Sequence, residues 1–309
     1  MSFSNRLIQQ HAYRCLLWGS GSGLLNNYHL IKCYELSGKI SVCGITSNNP
    51  LHSEIGGYPL IEKKSINKEE FDRVIIMSSS ESIIKEIRQE AYQHGIDELD
   101  IVPCDVMKLI GFDFEKYKML KSNPPTIFTH CCWGGVTYNK LGLRFDSPFI
   151  NMFEYQGQFV SFLKNPRVYM ESEPVFKEMR NEDGDSYPVA ECRDMLLCFN
   201  HYRTFDEAKE CWERRKKRIH WDNLFVLMWT DEREVLEEFC KLPYEKKRVI
   251  TPLESDNECV LTISYPDDEK AKRIPFGDIV NGTANGRYIY FDLFDLLLYN
   301  KINLVADFK

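Results

Sequence analysis

The sequence predicts an α/β protein made of two Rossmann-like, parallel-sheet domains. Three observations carry that expectation. Short apolar segments alternate with amphipathic ones through both halves of the chain, a pattern that calls for crossover connections and parallel strands. The 309 residues exceed what one hydrophobic core ordinarily organises. A charged stretch ending in Pro124-Pro125, "DFEKYKMLKSNPP", interrupts the alternation, and proline cannot extend a helix. The domains are accordingly expected at residues 1–122 and 123–309.

In the first half, "RCLLWGSGSG" runs from an apolar strand into Gly19, Gly21 and Gly23. "LLNNYHLIKCYELSGK" follows as an amphipathic helix stopped near Gly38, and "ISVCGIT" is the next strand. "RVIIMSSS", the helix "ESIIKEIRQEAYQHG" and "LDIVPCDVMKLI" continue the series. The turn of Gly19, Gly21 and Gly23 is the candidate cofactor site, because a strand-to-helix turn presents backbone N–H groups to an anion. A dinucleotide fingerprint would need glycine where Leu24 stands, and "ITSNNP" supplies Thr46, Ser47 and Asn48 in place of a ribose-binding acid. The favoured reading is a set of turn glycines without a dinucleotide, and the cofactor is left unassigned.

In the second half, "TIFTHCC", "DMLLCFNHY", "LFVLMWTD" and "KRVIT" read as strands. "INMFEYQGQFVSFLKN", "TFDEAKECWERRKKRI" and "EREVLEEFCKL" read as helices, and "MRNEDGDSYP" reads as a surface loop. Ligands of open parallel sheets bind beyond the carboxyl ends of the strands. Those ends collect Cys132 to Gly135, Asn200, His201, Thr230, Asp231 and Thr251 at one rim, whereas Asp194 opens its strand and suits a structural role. Thr204 and Glu207 have capping-box spacing at the start of the helix from Phe205 to Ile219. The apolar stripe of that helix contains Arg215, with Arg218 at its flank. A buried arginine needs a carboxylate or phosphate partner.

Within that rim, "HCCWGG" packs six unusual residues together. A nucleophilic Cys132 needs a base, for which His201 is the candidate. A metal site of His130, Cys132 and His201 has no supporting spacing, so none is assigned. The favoured reading is a binding turn, in which Gly134 and Gly135 offer free N–H groups and Trp133 forms a wall or stacking surface.

Composition narrows the rest. Hydrophobic residues make up 43% and charged residues 28%, with a net charge of −7, so broad nucleic-acid or anionic-membrane binding is not expected. No apolar run reaches the ~18 residues of a membrane span. The eleven cysteines are irregularly spaced behind an amino terminus without a signal-peptide core, which predicts reduced thiols in a cytoplasmic protein.

Two resemblances add context. The early glycine turn, "GGYPLIEKKSINKEEFDRVIIMSSS" and "IIKEIRQEAYQHGI" resemble the nucleotide-binding-like domain that precedes sugar acyltransferases and occurs in other bacterial surface-polysaccharide enzymes, over about positions 13–110. "THCCWGGVTYNKLGLRFDSPFINMF" and "YPVAECRDMLLCFNHYRTFDEAKECWERRKKRIHWDNLFVLM" resemble a bacterial domain family of unknown function associated with exopolysaccharide and capsule biosynthesis, over about positions 124–252. Its pattern is matched by Cys132, Trp133, Gly134 and Gly135, by Ser147, Pro148 and Asn151, by His201 and Tyr202, and by Trp212, Arg214, Arg215 and Arg218. Thr129, His130 and Cys131 stand where members often carry asparagines, so no role is carried over to them. The resemblance supplies the setting, surface-polysaccharide biosynthesis, and no reaction; within it the rim, which offers both a base and positive charge, points to a transferase acting on a sugar nucleotide or sugar phosphate. His201 or Asp231 would be its general base, Arg215 and Arg218 its phosphate clamp, and Cys132 to Gly135, Asn200 and Tyr202 the remaining lining. The alternative is a non-catalytic sugar or nucleotide sensor or scaffold. An oxidoreductase using the first turn is weakened by the incomplete fingerprint.

Overall fold

The computed structural model describes residues 12–48, 54–182, 184–263, 275–284 and 292–303. The chain divides into two compact units, Met1–Phe114 and Glu115–Lys309. Both contain a parallel sheet flanked by helices, as the sequence pattern predicts.

The first unit runs β1 (Tyr13–Trp18), α1 (Ser22–Leu36), β2 (Ile40–Thr46), the short hairpin β3 (Glu54–Ile55) and β4 (Tyr58–Pro59), then β5 (Arg73–Ile76), α2 (Glu81–Gln93) and β6 (Ile101–Pro103). Its sheet has the order β2-β1-β5-β6, with every pairing parallel. The chain therefore moves outward from β1 in one direction and returns to extend the other side. The order reverses between β1 and β5, and Gly19–Gly23 lies at that point, at the carboxyl end of β1. Leu16, Trp18, Val74, Ile76 and Ile101 of the strands pack with Ile87 and Ala91 of α2 to form the core.

Helix α3 (Phe114–Ser122) leads into the second unit. There the chain forms β7 (Thr126–Phe128), α4 (Trp133–Lys140), α5 (Gln156–Lys164) and α6 (Pro166–Glu171). Three strands follow, β8 (Val175–Glu182), β9 (Asp185–Cys192) and β10 (Met195–Cys198), and then α7 (Phe205–Lys216) and β11 (Leu224–Trp229). The unit closes with α8 (Arg233–Cys240), β12 (Lys247–Thr251), β13 (Val260–Thr262), α9 (Phe276–Ala284) and α10 (Leu293–Tyr299). The parallel sheet has the order β13-β12-β11-β7. Its strands bury Phe128, Val226, Met228 and Val249 against Phe149, Phe159, Phe162 and Trp212.

Three segments depart from the sequence expectation. "DMLLCFNHY" supplies β10, but β10 pairs antiparallel with β9 in a separate three-stranded sheet, β10-β9-β8. An apolar run shows that a strand is buried and does not show which sheet buries it. "MRNEDGDSYP" is the hairpin of β8 and β9, not a loop. Its strand character is hidden because β8 is exposed along almost its whole length and so carries no apolar alternation. Finally, helix α5 begins only at Gln156. Asn151 adopts a left-handed conformation (φ 63°), and Phe153 exchanges backbone hydrogen bonds with Cys198 at 3.0 and 3.1 Å.

Among the described residues no helix is long and apolar enough to cross a membrane. All eleven cysteines are free thiols.

The glycines of the first turn differ in what surrounds them. A Cβ on Gly23 would lie 1.9 Å from the Met77 carbonyl oxygen, whereas Gly21 has open space around it. Gly23→Ala is therefore expected to destabilise the first unit by about 1–3 kcal/mol through overpacking. Gly21→Ser, which adds a helix-capping side chain at the amino cap of α1, should be neutral or slightly stabilising. Urea denaturation of the two variants checks this, and equal midpoints would show that the turn relaxes around the added carbon.

Candidate functional site

The carboxyl end of β7 continues through Thr129, His130 and Cys131 to Cys132, which caps α4. A second segment, residues 152–154, runs beside it. The Glu154 N–H donates to the His130 carbonyl at 3.2 Å, and Phe153 pairs with Cys198 at the end of β10. These backbone bonds carry the exit of β10 to the exit of β7. As a result His201 Nε2 stands 3.5 Å from Cys132 Sγ. His201 is exposed and Cys132 half-buried, so the pair lies at the surface of the rim. His201 thus reaches the parallel sheet from the antiparallel one.

The HCCWGG segment corrects its expected role as a free-standing binding turn. Trp133, Gly134 and Gly135 form the first turn of α4, which has no side-chain cap. Trp133 is fully buried, with its ring 6.2 Å from that of Phe225, so it is core and not a stacking surface. Gly134 is there for packing: a Cβ would lie 2.7 Å from Thr129 Cγ2, and 3.4 Å from Ile127 Cγ2. Gly135 sits against Ile150, where a Cβ would lie in ordinary contact at 3.4 Å from Cγ2. What remains for a ligand is the amino terminus of α4, where a helix leaves N–H groups without intrahelical acceptors.

Arg215 is buried on α7, as its position in the apolar stripe predicts, but its partner is not an acid. Its Nη1 donates to the Tyr202 hydroxyl and, at 3.3 Å, to the Ile150 carbonyl, and the guanidinium lies 5.4 Å from the Phe145 ring. Tyr202, itself buried, donates to the same Ile150 carbonyl at 3.1 Å. Both side chains thus brace the turn that carries His201. Arg218 lies past the end of α7, in the stretch leading to the amino edge of the sheet, where the His220 N–H donates to Thr126 Oγ1 at 2.8 Å. Arg215 is thus taken up by that brace beside His201, and Arg218 follows the end of α7. Asp231 is exposed after β11, and no hydrogen bond joins it to Cys132 or His201. Thr230 and Thr251 are buried and cap their own turns by accepting from the Glu232 and Leu253 N–H groups. Asp194 accepts from the Tyr169 hydroxyl at 2.5 Å, a structural contact.

Two further residues lie on the segments that lead to the pair: Glu154, which sequence reasoning passed over, and His130, to which it assigned no role. Glu154 and His130 are each 3% exposed, and neither carboxyl oxygen nor ring nitrogen has a hydrogen-bond partner among the described residues. Burial raises the Glu154 pKa well above the ordinary carboxylate value and lowers that of His130 to about 3, so burial disfavours the charged form of each. Burial pushes the Cys132 thiol up, with a smaller contribution from Glu154. The Cys131 thiol is raised to about 11, chiefly by burial. Cys132 therefore rests as a thiol beside an imidazole that can take its proton. The sequence signal for Glu154 was a single acid in the apolar stretch "INMFEYQ", obscured by reading that stretch as helix. Among the described residues no cluster of three or more His, Cys, Asp and Glu could hold a metal ion.

In the first unit, Gly19 takes a φ of 117° and donates its N–H to the Thr46 carbonyl at 2.8 Å, which turns the chain from β1 toward α1. Gly23 lets α1 pack on the Met77 carbonyl. Of these three glycines only Gly21 has open space around it.

The buried acid gives the second unit a pH signature. The native state keeps the Glu154 proton above the ordinary carboxylate value near 4.5, where the unfolded chain has released it. This contribution to stability is complete below that value and is lost as pH rises through the folded pKa. Glu154→Gln, which has no proton to lose, should match the wild type near pH 4. It should melt progressively higher than the wild type toward pH 8, since keeping the proton costs the wild type about 1.4 kcal/mol for each pH unit between the unfolded and folded pKa values. At roughly 2–4 °C per kcal/mol for a unit of this size, the difference is measurable by differential scanning fluorimetry. A difference independent of pH would contradict the assignment.

The chain was compared with known proteins. Residues 11–102 match the model described as C2185-like, N-terminal. An uncharacterized protein of Haemophilus influenzae is 29% identical over 184 residues, which cover 58% of this chain and 84% of that protein. Residues 105–299 match the model described as a domain of unknown function, DUF1919, and since that match spans more than half of the sequence, the chain belongs to the DUF1919 family.

Proposed function

We propose that this protein is a group transferase of surface-polysaccharide biosynthesis that acts on a sugar nucleotide or sugar phosphate at the carboxyl rim of the second sheet. The observation that carries the proposal is the contact between His201 Nε2 and Cys132 Sγ at the amino terminus of α4. Transfer to a hydroxyl-bearing acceptor needs a base, and His201 is exposed and held in place by its neighbours. A phosphorylated donor needs stabilisation of negative charge, which a helix amino terminus supplies. Arg215 contributes as a positioning residue, through Tyr202, while its guanidinium remains in the brace described above. Polysaccharide biosynthesis as the setting rests on the sequence resemblance over residues 124–252.

A thermal-shift series with uridine and guanosine diphosphate sugars and with hexose 1-phosphates tests the reading. A true ligand at a hundred times its Kd stabilises the native state by ~2.7 kcal/mol. His201→Ala should leave that shift intact, because the side chain is exposed, and should slow donor turnover by about 10²–10⁴, the usual contribution of a general base. If no phosphorylated sugar shifts the melting temperature, the transferase reading falls. If one binds without turnover in either protein, the chain is a sensor.

A further inference from the structure

Two of the cysteines meet sulfur to sulfur. Cys259 Sγ donates to Cys240 Sγ across 3.7 Å, and no other two thiols share a hydrogen bond among the described residues. Cys240 ends α8 and Cys259 immediately precedes β13, so both stand at the amino edge of the parallel sheet, opposite the rim that holds His201. Each is fixed to β12, the strand that lies between them in the chain. Lys247 Nζ donates to the Cys240 carbonyl at 2.7 Å, and the Val249 N–H donates to the Cys259 carbonyl at 2.9 Å. The Cys259 N–H donates in turn to Asn257 Oδ1 at 3.0 Å. Anchors on one strand thus hold the two sulfurs face to face. A thiol that only fills a core needs no such neighbour.

We propose that Cys240 and Cys259 form an oxidative modification site, in which a hydroperoxide converts the dithiol to a disulfide that fastens the edge strand β13 to the end of α8. Access sets the order of events. Cys240 is half-buried and lines a cleft with Arg233, Lys241, Ser255 and Asn257, whereas Cys259 is only 7% exposed. Burial also raises the Cys259 thiol well above its ordinary range, so it enters second. With hydrogen peroxide, the Cys240 sulfur attacks one oxygen, the O–O bond breaks, and the other oxygen leaves as water with the thiol proton. The Cys259 sulfur then attacks the sulfenic sulfur of Cys240. The S–S bond forms, the S–O bond breaks, and the hydroxide leaves with the Cys259 proton as a second water. The two thiols together give two electrons to the peroxide. Disulfide sulfurs stand about 2 Å apart, a gap within reach of side-chain rotation from the present contact.

Peptide mapping of the full-length protein after hydrogen peroxide, iodoacetamide and trypsin reads the site directly. Residues 234–241 and 249–270 should run as one linked peptide that dithiothreitol separates. Cross-linking a loop of about 20 residues restricts the unfolded chain, so the oxidised protein should melt roughly 5–10 °C above the reduced one. Cys33, the exposed cysteine, should still be alkylated at a peroxide dose that links the pair. In Cys259→Ala the Cys240 sulfenic acid has no thiol to meet, so dimedone should capture it, and peroxide should leave the melting temperature unchanged. Should that variant misfold, the peptide map and melting shift of the wild-type protein still decide.

The bond forms at the edge opposite His201, so it does not depend on the transferase reading, and either can fail alone. Recovery of both thiols in alkylated form after a dose that oxidises Cys33 overturns the site. So does a Cys240 linked to any cysteine other than Cys259. A linked peptide with no rise in melting temperature overturns the fastening of β13.

Discussion

Helix α7 turns Arg215 into the interior, and a guanidinium taken out of water must find acceptors or destabilise the fold by several kcal/mol. The acceptors it finds are the Tyr202 hydroxyl and the Ile150 carbonyl. Neither carries a formal charge, so the arginine does not sit in a buried ion pair; it ties two loops together. One loop leaves β10 and holds Asn200 and His201. The other precedes residues 152–154, whose backbone joins both β10 and the exit of β7. The contact between His201 and Cys132 depends on that tie, since a short exposed loop has few contacts of its own to fix a side chain. Burial raises the Tyr202 phenol pKa while Arg215 opposes the shift, which keeps the hydroxyl in the form that can donate to Ile150.

The acidic and basic groups behind the pair follow the opposite logic. Glu154 and His130 are buried without hydrogen-bond partners among the described residues, and burial shifts each toward its uncharged form. An apolar pair of similar size would fold more stably there, because an unsatisfied buried polar group costs more than the hydrogen bonds it might have made return. Both side chains sit on segments joined by a backbone hydrogen bond, and those segments lead to the Cys132 thiol and its imidazole neighbour. Cys131 and Cys132 divide along the same line. The first is enclosed and its thiol is unreactive; the second, capping α4, keeps part of its surface and its imidazole neighbour.

How much of this the sequence discloses depends on the range of the interactions involved. Strand and helix alternation is local, and it correctly indicates the parallel sheets and most of α1, α2, α7, α8, β5, β11 and β12. The cap of α7 is equally local: Thr204 accepts from the Glu207 N–H at 3.3 Å, as the spacing predicts. Sheet membership is not local, so β10 reads as a strand of the wrong sheet and the exposed strand β8 reads as loop. The glycines of HCCWGG show the same limit. Two adjacent glycines after a strand suit a ligand loop or a tightly packed helix start, and only Thr129 and Ile150, brought in by folding, decide for the helix. Arg215 reads correctly as buried and needing acceptors. Its acceptors come from residues 13 and 65 positions away in the chain, beyond the reach of any periodicity.

The two parallel sheets also differ in how they can make a site. In the first, strand order reverses between β1 and β5, and such a reversal opens a crevice at the carboxyl edge. Here α1 approaches so closely that Gly23 has no room for a side chain beside the Met77 carbonyl. Gly21 is the position of that turn left open. In the second sheet the strands follow chain order from β7 to β13, so topology alone creates no crevice. The chain between β7 and β11 compensates. It makes a separate antiparallel sheet, returns its last strand to residues 152–154, and so delivers His201 to the rim from outside the parallel sheet. The rim of the second unit is therefore assembled by an excursion of the chain, and its chemistry depends on how β10 is anchored as much as on the strands it overlooks.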